Sequence, residues 1–343
     1  MDQSKCATPG STRPISADTG LASSSPSSAA PLLLLKLRHS KPISKSEITS
    51  LGISPSSSAP YAFAVSLGTA SPRSWIDVFD LATQQSHGRK AGSSAVFSPG
   101  GGRLAVLREV FRQIGGGVEH KFGSSIVIRD TLTGKDLREL KDAAGLPLAW
   151  SSNGRYLAAI ESPDSFNVGI WDLTTYQRVA RVSSHVDTVT HAVFTPSGAL
   201  VTQSRDGTVR LTDAGKTLSR LEVGGHRRPY PSALAMTAKG GTVVSVWNTS
   251  VQQWIPETSA IVSYGLNESR RTEGWALCVS PDSRRIAFRT EDGFDILDAS
   301  SAALLASQQT DIQVTAGAFT PNGESLLIGK MDGTVELWDI EDQ

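Results

Sequence analysis

Six histidines, at positions 39, 87, 120, 185, 191 and 226, and two cysteines, Cys6 and Cys278, are the side chains of this 343-residue chain best suited to metal or nucleophilic chemistry. Their spacing does not assemble it. No His-Glu-x-x-His, Cys-x-x-Cys or EF-hand pattern occurs, so the sequence holds no local zinc or calcium signature. His185 and His191 flank an expected strand start, which sets them at different heights. Glycines 115–117 lack a following Lys-Ser/Thr and lie between two expected strands rather than ahead of a helix, so they read as a hairpin tip and not as a phosphate loop. What remains is the chemistry of recognition. Arg227, Arg228 and Tyr230 stand close together, Arg270 and Arg271 are adjacent, and Phe111, Arg112 and Phe122 surround the glycine run. Exposed aromatic and Arg groups dominate binding hot spots, and guanidiniums grip carboxylates and phosphates through paired hydrogen bonds.

Composition narrows the classes further. Lys plus Arg equals Asp plus Glu at 33 each, and a formally neutral chain does not hold nucleic acid by bulk electrostatics. Two cysteines are too few for a disulfide framework and favour a reducing compartment. The four leucines at 32–35 are ended by Lys36, far short of the ~20 apolar residues of a spanning helix. They also start too late for an ordinary signal peptide, and Asp2 and Asp18 speak against a mitochondrial presequence. The expectation is a cytoplasmic or nuclear protein without a cofactor or membrane partner. Residues 1–30 are rich in Ser and Pro with almost no large apolar groups, which predicts a disordered tail.

The elements that must carry these side chains are set by a repeat. An aromatic or apolar residue precedes Ser or Thr, a Gly-containing turn, an apolar strand, a tight turn and a second strand ending near Asp. FTPSGALVTQSRDGTVRLTD from Phe194 and FTPNGESLLIGKMDGTVELWD from Phe319 are the clearest copies. Less regular copies start at Phe97, Trp150 and Val279, and degenerate ones at Ile53 and Met236. The seven anchors are 44, 53, 44, 42, 43 and 40 residues apart. Each copy reads as short Val/Ile/Leu-rich runs between Ser-Pro, Asn-Gly and Asp-Gly turns, without helical periodicity. A period of ~40–45 residues with four strands per unit predicts an all-β, seven-bladed β-propeller of four antiparallel strands per blade.

With IWDL at Ile170, LWDI at Leu337, and a Ser-His before Val186 and a Gly-His at 225–226, the chain resembles the WD-repeat family over about residues 31–343. The resemblance implies that each repeat supplies the last strand of one blade and the first three of the next. The chain stops just after Trp338-Asp339, so PLLLLKLR at 31–38 is expected to close the ring as the fourth strand of blade seven. Blades of this family are often braced by a His–Ser/Thr–Asp–Trp set. Blade four keeps His185, Ser204 and Asp206, with Thr212 in place of Trp. Blade five offers His226 and Trp254, with Asn248 in place of Asp. Blade seven keeps Asp332 and Trp338, with Thr310 and Lys330 at the His and Ser positions. The resemblance also implies one face bearing the loops that enter each blade and the turns between second and third strands. Those turns are long in blades one to three, where blade three adds Asp164 and Phe166. Some phosphoinositide-binding propellers hold headgroups with paired arginines, but Arg227-Arg228 lies among His226, Pro229 and Tyr230 rather than in their Phe and Gly context. The implied function is a non-catalytic protein-interaction scaffold, a monomer within a larger complex, binding a protein or an acidic or phosphorylated peptide on the long-loop face. The alternative is a propeller hydrolase or lactonase-like enzyme with an axial site.

Overall fold

The computed structural model describes residues 33–56, 60–68, 72–114, 118–140, 142–213, 216–222, 230–237, 241–248, 250–266 and 275–342. At 112–114, 118–122, 216–219 and 221–222 it describes the backbone alone. The expected tail lies outside these residues.

All regular structure among the described residues is β. First in the chain is β1 (Leu33–Pro42). Blade one holds β2 (Ile48–Ile53), β3 (Tyr61–Leu67), β4 (Ser74–Asp80) and β5 (Ser86–Ala91), and blade two β6 (Ser94–Phe97), β7 (Arg103–Ile114), β8 (Val118–Asp130) and β9 (Asp136–Glu139). Blade three is β10 (Pro147–Trp150), β11 (Tyr156–Ile160), β12 (Val168–Asp172) and β13 (Gln177–Val182). Blade four is β14 (Val189–Phe194), β15 (Leu200–Ser204), β16 (Thr208–Asp213) and β17 (Lys216–Glu222). Blade five is β18 (Pro231–Met236), β19 (Val243–Trp247), β20 (Ser250–Ile255) and β21 (Ala260–Gly265), and blade six β22 (Ala276–Val279), β23 (Arg285–Arg289), β24 (Gly293–Asp298) and β25 (Leu304–Gln309). Blade seven takes β26 (Val314–Phe319), β27 (Ser325–Lys330) and β28 (Thr334–Asp342), and completes its sheet in the order β1-β28-β27-β26. The first strands of successive blades are neighbours around a closed ring in which β26 meets β2.

The closing strand therefore comes from the other end of the chain. It pairs antiparallel with β28 from Leu33↔Asp342 to Pro42↔Thr334. This runs four residues past the expected end at 38, because β28 offers backbone partners down to Thr334.

Seven apolar clusters hold the ring, one at each junction between blades. At the junction of blades one and two, Phe63, Val65 and Ile76 pack on Phe97, Leu104 and Val127. Each blade is thus covered on both faces, which is why its middle strands read as unbroken apolar runs rather than alternating ones. The tight turns between third and fourth strands are made by the Asp that ends the repeat. Asp80 accepts the N–H groups of Ala82 and Thr83, Asp172 that of Thr174, and Asp298 that of Ser300, at 2.7–2.9 Å. These carboxylates act as local turn caps, and Gln84, Tyr176 and Ala302 follow in the left-handed region.

Candidate functional site

In an antiparallel four-strand meander the turns alternate ends. The second-to-third turns and the loops entering each first strand therefore share one face. That face carries the ends, at Gly68 and Pro72, of the connection in blade one, the β7–β8 hairpin of blade two, which pairs out to Ile114↔Val118, and residues 161–167 of blade three. It also gathers exposed apolar side chains. Leu67, Val110, Leu146, Phe166, Val186, Tyr230, Trp275 and Met331 are all exposed there, whereas the turns of the opposite face expose Leu132 among the described residues. The other exposed large apolar groups lie on outermost strands.

Near the ring axis this face opens into a cavity of about 590 Å³, lined from blades one, five, six and seven. Its floor and walls are the starts of the first strands: Thr49, Ser232, Leu277 and Thr315 among them, with no ionisable side chain other than the rim phenol of Tyr230. These four are the second residues of their strands, where the pairing with the next strand slips by one in six of the seven blades. The hydroxyls of bulged Thr49 and Ser232 donate to the second-strand carbonyls of Val65 and Val246 at 3.3 Å, whereas that of Thr315 lies nearer the Ile48 carbonyl of blade one, at 2.6 Å, than that of Gly329, at 3.1 Å. Thr190 donates to the Gln203 carbonyl in blade four, beside His191, whose imidazole burial pushes down to about 4.

Two aromatic residues form the rim. Tyr230 immediately precedes β18 and is 55% exposed, and Trp275 immediately precedes β22 and is 44% exposed. Each is backed by an arginine, Arg205 at 4.7 Å from the Tyr230 ring centre and Arg289 at 3.9 Å from that of Trp275. Such stacks hold an aromatic group in place while leaving its other side available. Asn248 also fixes Tyr230, its side-chain oxygen accepting the Tyr230 N–H at 2.9 Å. Phe111 lies beneath the Arg73 guanidinium, 5.5 Å away, on the shoulder of the long hairpin. The side chains of Arg112 and Phe122, and the residues His226, Arg227, Arg228, Arg270 and Arg271, lie outside the described residues. Trp275 escaped the sequence reading, although its signal was there: it occupies the same repeat position as Tyr230.

The bracing residues fall into place differently in each blade. In blade four, His185 Nδ1 meets Asp206 at 2.9 Å and Nε2 meets Thr202 Oγ1 at 2.8 Å. The hydroxyl partner is thus Thr202 and not Ser204, which instead donates to the Asp187 carbonyl and accepts the Asp206 N–H. Both lie on β15, but the expected Trp site, Thr212, makes no tie to His185. Its place is taken by the third-strand residues Thr208 and Arg210, the latter bonded to the Ser184 carbonyl and to Thr208. Burial works to raise Asp206, yet the His185 and Thr208 hydrogen bonds hold its carboxyl well below the usual range. In blade five Trp254 is buried in the junction with blade four. In blade seven, among the described residues, Asp332 bonds its own turn, to Thr334, and Thr310 donates to the Ile312 carbonyl. The loop-to-strand tie there is ionic: buried Lys330 reaches Asp311 at 3.1 Å and Glu336 at 2.6 Å, and Glu336 accepts the Trp338 Nε1–H at 3.1 Å. Burial alone would lower the Lys330 ammonium, but the Glu336 and Asp311 carboxylates outweigh it and raise it.

The family description "WD domain, G-beta repeat" matches residues 176–213 and 304–339, which run from the fourth strand of blade three to the third of blade four and from the fourth strand of blade six to the third of blade seven. Two of the seven repeats thus match as WD repeats, and all seven blades are four-stranded, the last completed by β1. The chain is a seven-bladed propeller carrying WD repeats. Over 191 residues, half of its length, the propeller is 25% identical to "Pre-mRNA-processing factor 19 homolog 2" of Arabidopsis thaliana, covering 35% of that protein. Over 111 residues, 32% of its length, it is 30% identical to "Meiotic recombination protein rec14" of Schizosaccharomyces pombe, covering 37% of that one. The propeller's matched segments thus span little more than a third of each of these relatives.

Proposed function

We propose that this propeller is a non-catalytic protein-interaction platform whose working surface is the loop-bearing face, with the axial cavity as anchor site. The observation that carries the reading is the segregation of exposed apolar groups to that face, around a cavity rimmed by Tyr230 and Trp275 that are already held by stacked arginines. Prefixed aromatic groups bind with little ordering cost, and a pocket without carboxylate, imidazole or ammonium groups suits anchoring rather than acid–base catalysis. The loops leading to these two rim residues carry Arg227-Arg228 and Arg270-Arg271, so an acidic or phosphorylated segment beside an uncharged anchor is the partner chemistry. The names of the two relatives, one in pre-mRNA processing and one in meiotic recombination, support a nuclear setting. Capture from nuclear extract followed by mass spectrometry tests the proposal. The Tyr230→Ala/Trp275→Ala variant should lose the partners that wild type retains while melting at the same temperature. Retention of every partner by that variant would remove this face from consideration.

A further inference from the structure

Closing the ring removes edges between first and last blades but leaves one outward edge per blade, the fourth strand. Natural sheets guard such edges with charges, proline or bulges. Six of the seven do so here. β1, β5, β9, β13 and β17 carry at least two charged residues each, and all five have a register slip against their third strand. β25 (LLASQQ) has no charge but retains the slip, between Ile296 and Leu297. β21 has neither. Its sequence is AIVSYG, and it pairs with β20 without a break from Ser250↔Gly265 to Ile255↔Ala260. The cause is legible at one position. In blades one, two, three and six the slip stands just before the turn-capping Asp, whereas the third strand of blade five ends in Ile255 and has no such cap.

We infer that the outer edge of blade five, β21, takes an added strand from an extended, uncharged segment of a partner protein. An unbroken six-residue edge that holds Ile261, Val262 and Tyr264 and has neither charge nor Pro has the composition of pairing-prone segments. Ile261 and Val262, pointing to opposite flanks of the blade, are each 49% exposed. The outward N–H and C=O groups of such an edge are complementary to an extended backbone. The absence of charge selects an incoming segment that is itself neutral, because a charged side chain beside Ile261 or Val262 would lose hydration without gaining a partner. A second copy fits less well. Two convex rims would meet only along these six residues, against the ~20–30 residues a side of a stable interface. A flexible segment can pair with the edge and continue over the flanks, reaching Leu304 of the next blade's outer strand, also exposed. This surface is on the rim, so its failure and that of the loop-bearing face are independent.

The test uses the full chain and a fluorescent synthetic peptide of the sequence of residues 260–265 with an uncharged Gly-Ser tail. A twin peptide, N-methylated at alternate residues, keeps the side chains and loses backbone donors. The wild type should bind the first peptide, protect the amides of 260–265 from hydrogen exchange, and bind the twin roughly tenfold or more weakly. Ile261→Lys/Val262→Lys should lose binding by a similar factor with an unchanged melting temperature. The control Val179→Lys, on the guarded strand β13, should bind as wild type does. No binding, equal binding of the twin, or protection elsewhere than β21 overturns the inference. So does a wild-type dimer in sedimentation that Ile261→Lys/Val262→Lys dissolves, since that would assign the edge to a second copy.

Discussion

One imidazole joins three parts of blade four: the entering loop through His185 itself, the second strand through Thr202 and the following turn through Asp206. Removing it takes from buried Thr202 its imidazole partner and leaves Asp206 with Thr208, Val186 and Arg210, so His185→Ala should destabilise by about 1–3 kcal/mol. Asp332→Ala removes only exposed turn hydrogen bonds and should cost less, as urea denaturation of both variants would show. In blade seven the equivalent tie is charged. Glu336→Ala leaves Lys330 buried with the exposed Asp311 as its sole carboxylate, and should cost about 3 kcal/mol or more. His191 gives the fold a pH dependence. Its folded-state value is about 4 against an ordinary 6.5, so below pH 6.5 the unfolded chain takes up the proton first. Its contribution to stability is complete above about pH 6.5 and is lost progressively down to about 4. Denaturation midpoints measured across that window should fall less steeply in His191→Gln than in wild type.

At the scale of elements, each blade is a strand meander that cannot bury either face alone, and the seven junction clusters make neighbours interdependent. The most exposed dependence is at the closure. Leu33 packs with Phe294, Trp338 and Ile340, and Arg38 pairs with Asp339 at 2.6 Å. Deleting residues 1–30 leaves β1 whole, whereas deleting 1–40 removes most of it and opens the β28 edge. The longer truncation should melt lower by roughly 5 °C or more, and the shorter one as wild type does. Equal melting temperatures would mean that the ring does not need this strand.

For the whole molecule, zero net charge matters more than any single ion pair. Without a general basic field, attraction of an acidic partner must come from local groups, and exposed local groups are screened over ~8–10 Å at ordinary ionic strength. Replacing Arg227, Arg228, Arg270 and Arg271 with Ser should therefore weaken capture most at low salt and leave the melt unaltered. Replacing Tyr230 and Trp275 should weaken it at every salt concentration, because apolar contact is not screened. Pull-downs of both variants at two salt concentrations distinguish charge steering from anchoring.

The number of blades, the strand content and the closing strand were determined by the sequence itself, because they rest on local signals. Turn residues recur every forty-odd positions, Asp caps its own turn, and a leucine run stands where the ring lacks a strand. The long connections of blades one to three were legible for the same reason, as simple counts between turns. The side-chain partners were not. Thr202 and Ser204 are both hydroxyl residues on β15, and only the register of β14 against β15, with its slip after Val189, determines which of them faces His185. Lys330 reads in the sequence as a broken brace, since its partners Asp311 and Glu336 come from a loop and another strand that only folding brings to it. The cavity is likewise a tertiary product: Thr49, Ser232 and Thr315 stand in separate repeats up to 266 residues apart in the chain. A periodic sequence specifies the blade through contacts within one repeat, whereas the site lies on the axis, where residues from different repeats meet through space.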